Sequence, residues 1–277
     1  MKLETLNSKL RQLVALTVAA LFVLPLLLVL TASLRQPGLP PPRTIEWLPP
    51  VMTWGNYRTI FQLVPLGRYI ANSAIVVALA VPITLVTASW AGFALAQLHA
   101  RWQRTLVVFT SALLLVPSTA LWLTRYVLFS YLLLTDTLWA LIAPALMGTS
   151  PLFVLLFYWT FRRLPQELIA SARIDGAGVL RTWATIAMPL ARSTIIAVSV
   201  LSFVSYWSDF INPLLYLKTQ RYYTLPVGLQ FLQQMDRTNW PLLMAASVVM
   251  VGPVVLLFLL TQRYFWPDGR LTGFGGR

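Results

Sequence analysis

The sequence predicts an all-α, polytopic membrane protein with six spanning helices and a helical loop between the fourth and fifth. Three observations carry that expectation. Of 277 residues, 58% are hydrophobic and 10% are charged, against roughly a quarter charged in a soluble domain. Six apolar stretches reach the roughly 20 residues that a crossing helix needs, over 12–34, 69–97, 105–128, 137–160, 193–216 and 241–263. Between the fourth and fifth of these, residues 161–192 carry helix starts, stops and an amphipathic pattern of their own. The whole chain, 1–277, reads as one transmembrane domain.

The elements follow in order. The first apolar run has Lys2, Lys9 and Arg11 before it, as a signal peptide would. It is longer than a signal's apolar region, which favours an uncleaved span. A Pro-rich segment with Trp47, Trp54 and Tyr57 comes next. It reads as a stiff, extended stretch with aromatics at headgroup level, or as a docking surface for an external partner. Pro25, Pro82, Pro117, Pro144, Pro151 and Pro253 lie in or near spans. A bundle tolerates them because neighbours re-satisfy the freed carbonyls, and they mark candidate kinks. Thirteen of the 21 Lys and Arg fall at the two termini, in the second loop and in the fourth loop, and eight on the opposite side. The positive-inside rule then places both termini and residues 161–192 in the cytoplasm.

Composition also excludes chemistry. Without Cys there is no disulfide, thiolate metal site or thiol nucleophile, and His99 is the only histidine, so no metal site is expected. The net charge of +13 comes from scattered residues rather than a run, which suits anionic lipid headgroups and gives no stripe for nucleic acid. Two competing classes remain. A polytopic enzyme acting on lipid or glycan needs an acid–base constellation, and none stands out among eight acidic residues. A secondary transporter calls for inverted repeats and paired broken helices, which the sequence does not display.

The fourth loop contains LPQELIASARIDGAGVLRTWATIAMP. Pro165 suits a first helical turn and Glu167 places negative charge at the positive end of the helix dipole. Ala170, Ser171 and Ala172 are small enough for another surface to approach the backbone. Asp175 favours a turn, and Gly176 suits the left-handed residue that ends a helix. In the second helix Val179, Leu180, Trp183, Ile186 and Ala187 form one apolar stripe, and Pro189 ends it before the next span. This helix–turn–helix reads either as a docking element or as a passive interfacial helix.

These residues resemble the "EAA" loop of permease subunits in binding-protein-dependent ABC importers. The family pattern, E-A-A, three residues, G, nine residues, I, one residue, L-P, falls on Ala170, Ser171, Ala172, Gly176, Ile186, Met188 and Pro189. The P-x-E-L start and the I-D-G-A core, which includes Ala177, are similar to the carbohydrate-uptake branch, of the maltose-permease G type. The motif glutamate is Ala170 here and its leucine is Met188, so the acidic contact falls to Glu167 or Asp175. The resemblance extends over NSAIVVALAVPITLVTASWAGFALAQL, YWSDFINPLLYL, YTLPVGLQFL and the glycine-rich ending QRYFWPDGRLTGFGGR. It implies a multi-pass subunit of a bacterial or archaeal inner membrane that imports a sugar or sugar-like solute. Its partners would be a second homologous permease, two cytoplasmic ATPases and an external solute-binding protein, within membrane lipid. The resemblance also implies that ATP and Mg sit on the ATPases, with no cofactor and no catalytic residue on this chain, and this chain holds no P-loop. The tail would reach the ATPase dimer, or fray.

The fifth span bears on the solute. At 100° per residue, Ser202, Ser205, Tyr206, Asp209 and Asn212 share a polar face, opposite Phe203, Trp207 and Val200. A face that polar turns away from lipid toward a cavity or the bundle interior, and Asp209 reads as pathway-lining or as paired with an arginine of a neighbouring helix.

Overall fold

The computed structural model describes residues 2–44, 46–235 and 238–264. Among them every regular element is helical. The α-helices are α1 (Lys2–Ser33), α2 (Gly55–Leu63), α3 (Leu66–Gln97), α4 (Ala100–Leu113), α5 (Trp122–Tyr131), α6 (Trp139–Ile142) and α7 (Pro151–Arg162). They continue as α8 (Gln166–Ile174), α9 (Val179–Thr182), α10 (Met188–Leu190), α11 (Arg192–Trp207), α12 (Ile211–Tyr216), α13 (Leu225–Met235) and α14 (Trp240–Thr261).

Four helical stretches are each long and apolar enough to cross a membrane: Leu10–Ser33, Leu66–Gln97, Trp139–Arg162 and Trp240–Tyr264. Two bent pairs raise the number to as many as six, if each pair counts as one span. Ala100–Leu113 meets Ser118–Tyr131 at 89°, and Val179–Leu190 meets Arg192–Trp207 at 85°.

The continuous third span expected over 105–128 is therefore corrected. After α4 the backbone tightens into three-residue turns, Leu114 N to Ser111 O, Leu115 N to Ala112 O and Val116 N to Leu113 O. Pro117 has no N–H with which to resume the ladder and takes an extended conformation. The fifth span also differs from 193–216, because α11 ends at Trp207. Pro213 cannot donate to the Asp209 carbonyl, so the helix stops and restarts as α12. The fourth span is interrupted as well. Gly148 and Thr149 are left-handed, with φ of 74° and 60°, and the Ser150 hydroxyl caps α7 by accepting from Leu152 N at 3.3 Å.

The chain divides into two compact units. One comprises residues 1–67 and 228–253, the other 68–227 and 254–277. In the first, the Pro-rich segment is pinned rather than merely extended. Asn56 in α2 donates to the carbonyls of Ser33 and Arg35 at 2.9 and 2.7 Å, Arg35 pairs with Glu46 at 3.2 Å, and Tyr57 bonds Ser33 at 2.8 Å. Trp47 and Trp54 remain exposed.

The second unit packs around α3 and α7. A Cβ on Gly92 would lie 2.7 Å from Phe157 Cβ and 2.8 Å from Tyr158 N. The missing side chain is what lets the two helices touch, the small-residue packing usual inside membranes. Phe93, Phe157, Phe161, Ile169, Ala187, Ala191 and Val198 complete that core, which ties the fourth loop to the bundle. At the other end of α3, Asn72 donates to the carbonyls of Arg221 and Tyr223, both at 2.9 Å, and Ser73 accepts from Leu225 N at 2.9 Å. Asp136 fastens the same region by accepting from the amides of Lys218 and Thr219 at 2.9 and 2.8 Å, and from the Thr219 hydroxyl.

Candidate functional site

Two regions of the second unit carry the residues singled out in the sequence. The first is the elbow between α8 and α9. Pro165 occupies the N-cap position of α8, its carbonyl accepting from Leu168 N at 3.2 Å, and Glu167 lies in the first turn. Its far end closes in a Schellman-type arrangement, with Gly176 N to Arg173 O at 3.0 Å and Ala177 N to Ala172 O at 2.9 Å. Gly176 is left-handed, with φ of 76°, as the sequence requires. Ile169 and Ala172 face the core, whereas Glu167, Ala170, Ser171, Asp175 and Gly176 are exposed. Of the three small residues, only Ala170 and Ser171 remain open to a partner.

The second helix of the loop departs from the expected stripe. Ala187 is buried and Trp183 and Ile186 half-buried, but Val179 is 68% and Leu180 64% exposed. Ile174, before the elbow, is 86% exposed. Residues 183–187 form a π turn. Pro189 has no N–H for the Thr185 carbonyl, and a wider turn accommodates that loss. The helix consequently runs past Pro189 to Leu190 and turns at Ala191. Trp183 anchors it, donating to Ser89 Oγ at 3.2 Å and meeting the Trp90 ring edge-on at 5.6 Å. Arg173 donates to Gln97 Oε1 at 2.8 Å. Through these contacts the elbow is attached to α3.

The second region is a cavity of 740 Å³. All three interrupted spans reach it: Pro117 and Ser118 from the third, Thr149 and Ser150 from the fourth, Asp209 from the fifth. Irregular backbone at membrane depth is tolerated where it lines a cavity or is buried in protein. Ser205, Tyr206, Asp209 and Asn212 come together on its wall, with Arg125 and Tyr216. Ser202 does not join them; it is fully buried and its hydroxyl is spent on Val198 O at 2.6 Å. The break after Trp207 ends the helical period, so the polar face expected over the whole fifth span holds together through the cavity rather than along one helix.

Within this group the Asp209 carboxylate accepts from Asn212 Nδ2 at 2.8 Å and from Asn212 N at 3.2 Å, capping α12. Tyr206 Oη shares a hydrogen bond with Thr149 at 2.6 Å, and Thr149 shares one with Thr84 at 2.5 Å. Arg125 is a cavity residue that sequence reasoning does not single out. The available signal is a lone guanidinium inside an expected span, eight residues after Pro117. The glycine-rich ending beyond residue 264 lies outside the described residues.

A helical membrane bundle whose spans break around one polar cavity is the architecture of a membrane transport protein. The chain belongs to the family of binding-protein-dependent transport system inner membrane components, whose model matches residues 84–268. It is 31% identical over 255 residues to the arabinooligosaccharides transport system permease protein AraQ of Halalkalibacterium halodurans, covering 90% of this chain and 89% of that one. It is 26% identical to the melibiose/raffinose/stachyose import permease protein MelC of Bacillus subtilis, over 95% of each chain. With the trehalose/maltose transport system permease protein MalG of Thermococcus litoralis it shares 29% identity over 71% of each. Among solved structures, a bacterial ABC transporter involved in the import of the acidic polysaccharide alginate superposes with a TM-score of 0.75. That match covers 96% of this chain and 99% of that one at 17% identity, a likeness of fold.

Proposed function

We propose that this chain is one membrane-spanning half of an ATP-driven importer for a sugar or sugar-like solute. An external binding protein delivers the solute, and a second permease completes the pathway. Residues 161–192 face the cytoplasm, where an ATPase subunit receives the elbow, and ATP and Mg are held by that ATPase. Membership of a binding-protein-dependent transport family supports the importer reading. The sugar-permease names of its relatives support the solute class.

The observation that carries the docking role is the apolar surface around Gly176. Ile174, Val179 and Leu180 are each more than 60% exposed, and fully burying each such side chain is worth about 1.5–3 kcal/mol. Ala170 and Ser171 beside them let a partner approach the backbone closely, and Glu167 and Asp175 supply acceptors for its basic groups. Closure of the motor would reach α3 through Trp183–Ser89 and Arg173–Gln97 as a rigid-body motion.

The test is co-purification with candidate ATPases, followed by hydrolysis measured with each sugar offered on its binding protein. Stimulation by one sugar supports the reading. An assembly whose ATPase attaches elsewhere, leaving the elbow in lipid headgroups, removes the coupling role.

A further inference from the structure

We infer that the groove between the end of α3 and the α8–α9 elbow is a binding site for an anionic phospholipid, with Arg173 on its phosphate and Trp90 and Trp183 along its acyl chain. The leaflet is the one on the side of residues 161–192. This site is separate from the 740 Å³ cavity and goes beyond the importer reading.

The lining is the first ground. The groove has a volume of 210 Å³, below the roughly 300–1,000 Å³ of sites that enclose a whole small molecule. Its walls are Trp90, Phe93, Ile169, Val179, Leu180 and Trp183, and among the described residues Arg173 is the one ionisable member of the lining. Thr182 also lines it, but its hydroxyl is spent on the Gly178 carbonyl at 3.1 Å. A sugar or nucleotide would lose its hydration there for too few polar partners. A molecule with one anionic end and an apolar remainder fits the same lining. Arg173 gives one N–H to Gln97 Oε1 at 2.8 Å, which steadies the guanidinium at the groove. The residue is otherwise exposed and keeps further donors for phosphate oxygens.

Depth is the second ground. α3 has 32 residues, about 48 Å at roughly 1.5 Å per residue, against a hydrocarbon core of about 30 Å. Its last turns, from Trp90 to Gln97, therefore fall at headgroup level, where tryptophans gather and basic pockets between helices receive anionic headgroups. Val86, Trp90 and Ala94, spaced by four, are exposed along one side of α3. That strip leads from the groove toward the middle of the span, and an acyl chain anchored at Arg173 can follow it. Ala170, Ser171 and Ile174 do not line the groove, so the motor's approach to the elbow stays open.

The full-length chain, purified in detergent and stripped of lipid, is titrated with dioleoylphosphatidylglycerol or dioleoylphosphatidylcholine and followed by native mass spectrometry. The first anionic lipid should bind about fivefold more tightly than the first choline lipid, the factor that one basic side chain near a bilayer is worth. Arg173→Gln should remove that preference and leave choline-lipid binding as it was. Ala94→Phe, which puts a ring into the groove, should weaken both lipids. Arg58→Gln, which removes an exposed charge assigned to the opposite side, should behave as the native chain. Melting temperatures in the same detergent identify a variant that has failed to fold. Equal affinity for the two lipids in the native chain, an unchanged preference in Arg173→Gln, or undiminished binding by folded Ala94→Phe each overturns the site. In the assembled transporter, a photoactivatable phosphatidylglycerol should label residues 90–97 and 179–183. Labelling only elsewhere means that a neighbouring protein covers the groove, and the lipid is then the wrong occupant. Neither readout measures transport, so the importer reading stands or falls separately.

Discussion

Gly176 carries the most local of the consequences. Its φ of 76° is left-handed and an added Cβ meets nothing within 4 Å, so substitution is opposed by backbone strain alone. The penalty for an L-residue there is about 1–2 kcal/mol. Gly176→Val should therefore leave the bundle folded and loosen the elbow, with ATP hydrolysis continuing while uptake per ATP falls severalfold. Parallel uptake and hydrolysis assays check this, and unimpaired uptake would mean that the elbow transmits nothing. Asp136 offers a second local test. Burial alone would raise its carboxyl, but hydrogen bonds from the Thr219 hydroxyl and amide and from the Lys218 amide, with the Lys218 charge, outweigh that and hold it below the usual carboxylate range. A lowered folded value means that its stabilisation is complete above the unfolded value of about 3.9 and fades as pH falls below it. Tm in detergent should thus drop between pH 5 and pH 3 by more in the native chain than in Asp136→Asn, and equal drops would show that the clamp is idle. Gly176 was legible in the sequence because one residue type answers one backbone demand. Arg125 was not, because its role depends on three spans breaking at the same cavity.

Helices in this chain were legible by length and apolarity, and their interruptions only in part. Pro117 announced a kink, but an 89° turn follows from the three tightening turns before it, which leave no ladder to resume. The break after Trp207 had its own signal: Asp209 ahead of Pro213 is a capping residue followed by a first-turn proline. Read as a continuous wheel, that stretch gave a polar face with Ser202 on it, and a wheel carries no information on which hydroxyls turn back to their own helix. The stripe from Val179 to Ala187 failed for the opposite reason. Periodicity finds an apolar face, and nothing in it says whether this chain or another covers that face. The α3–α7 contact was unannounced because Gly92 is one of two glycines in a 32-residue apolar helix, and nothing local sets it apart. Its cost is measurable. With Phe157 Cβ at 2.7 Å and backbone atoms of α7 at 2.8 and 2.9 Å from an added Cβ, Gly92→Leu must push the helices apart, for about 1–3 kcal/mol or more. Tm should fall by several degrees and trypsin should cut the 161–192 loop faster, since α7 leads directly into it. A variant as stable as the native chain would show that α3 and α7 do not pack this closely.

Across the full chain, the arrangement of charge predicts which side of the membrane each loop faces. The thirteen-to-eight split of Lys and Arg predicts that residues 161–192 lie on the same side as both termini, the side on which the proposed coupling role requires the exposed apolar residues of the elbow to be. Ser171 and Arg58 are both exposed and lie in segments assigned to opposite sides. The chain has no native cysteine, so Ser171→Cys and Arg58→Cys can each be labelled without background. In intact cells a membrane-impermeant maleimide should modify Arg58→Cys at once and Ser171→Cys only after the membrane is opened. That outcome would agree with the proposed coupling role, in which a cytoplasmic ATPase must be able to reach this loop. If Ser171→Cys labels in closed cells while Arg58→Cys does not, the whole topology inverts. The apolar surface at Ile174, Val179 and Leu180 would then belong to an external partner, and the cavity would have to be filled without a motor on this loop.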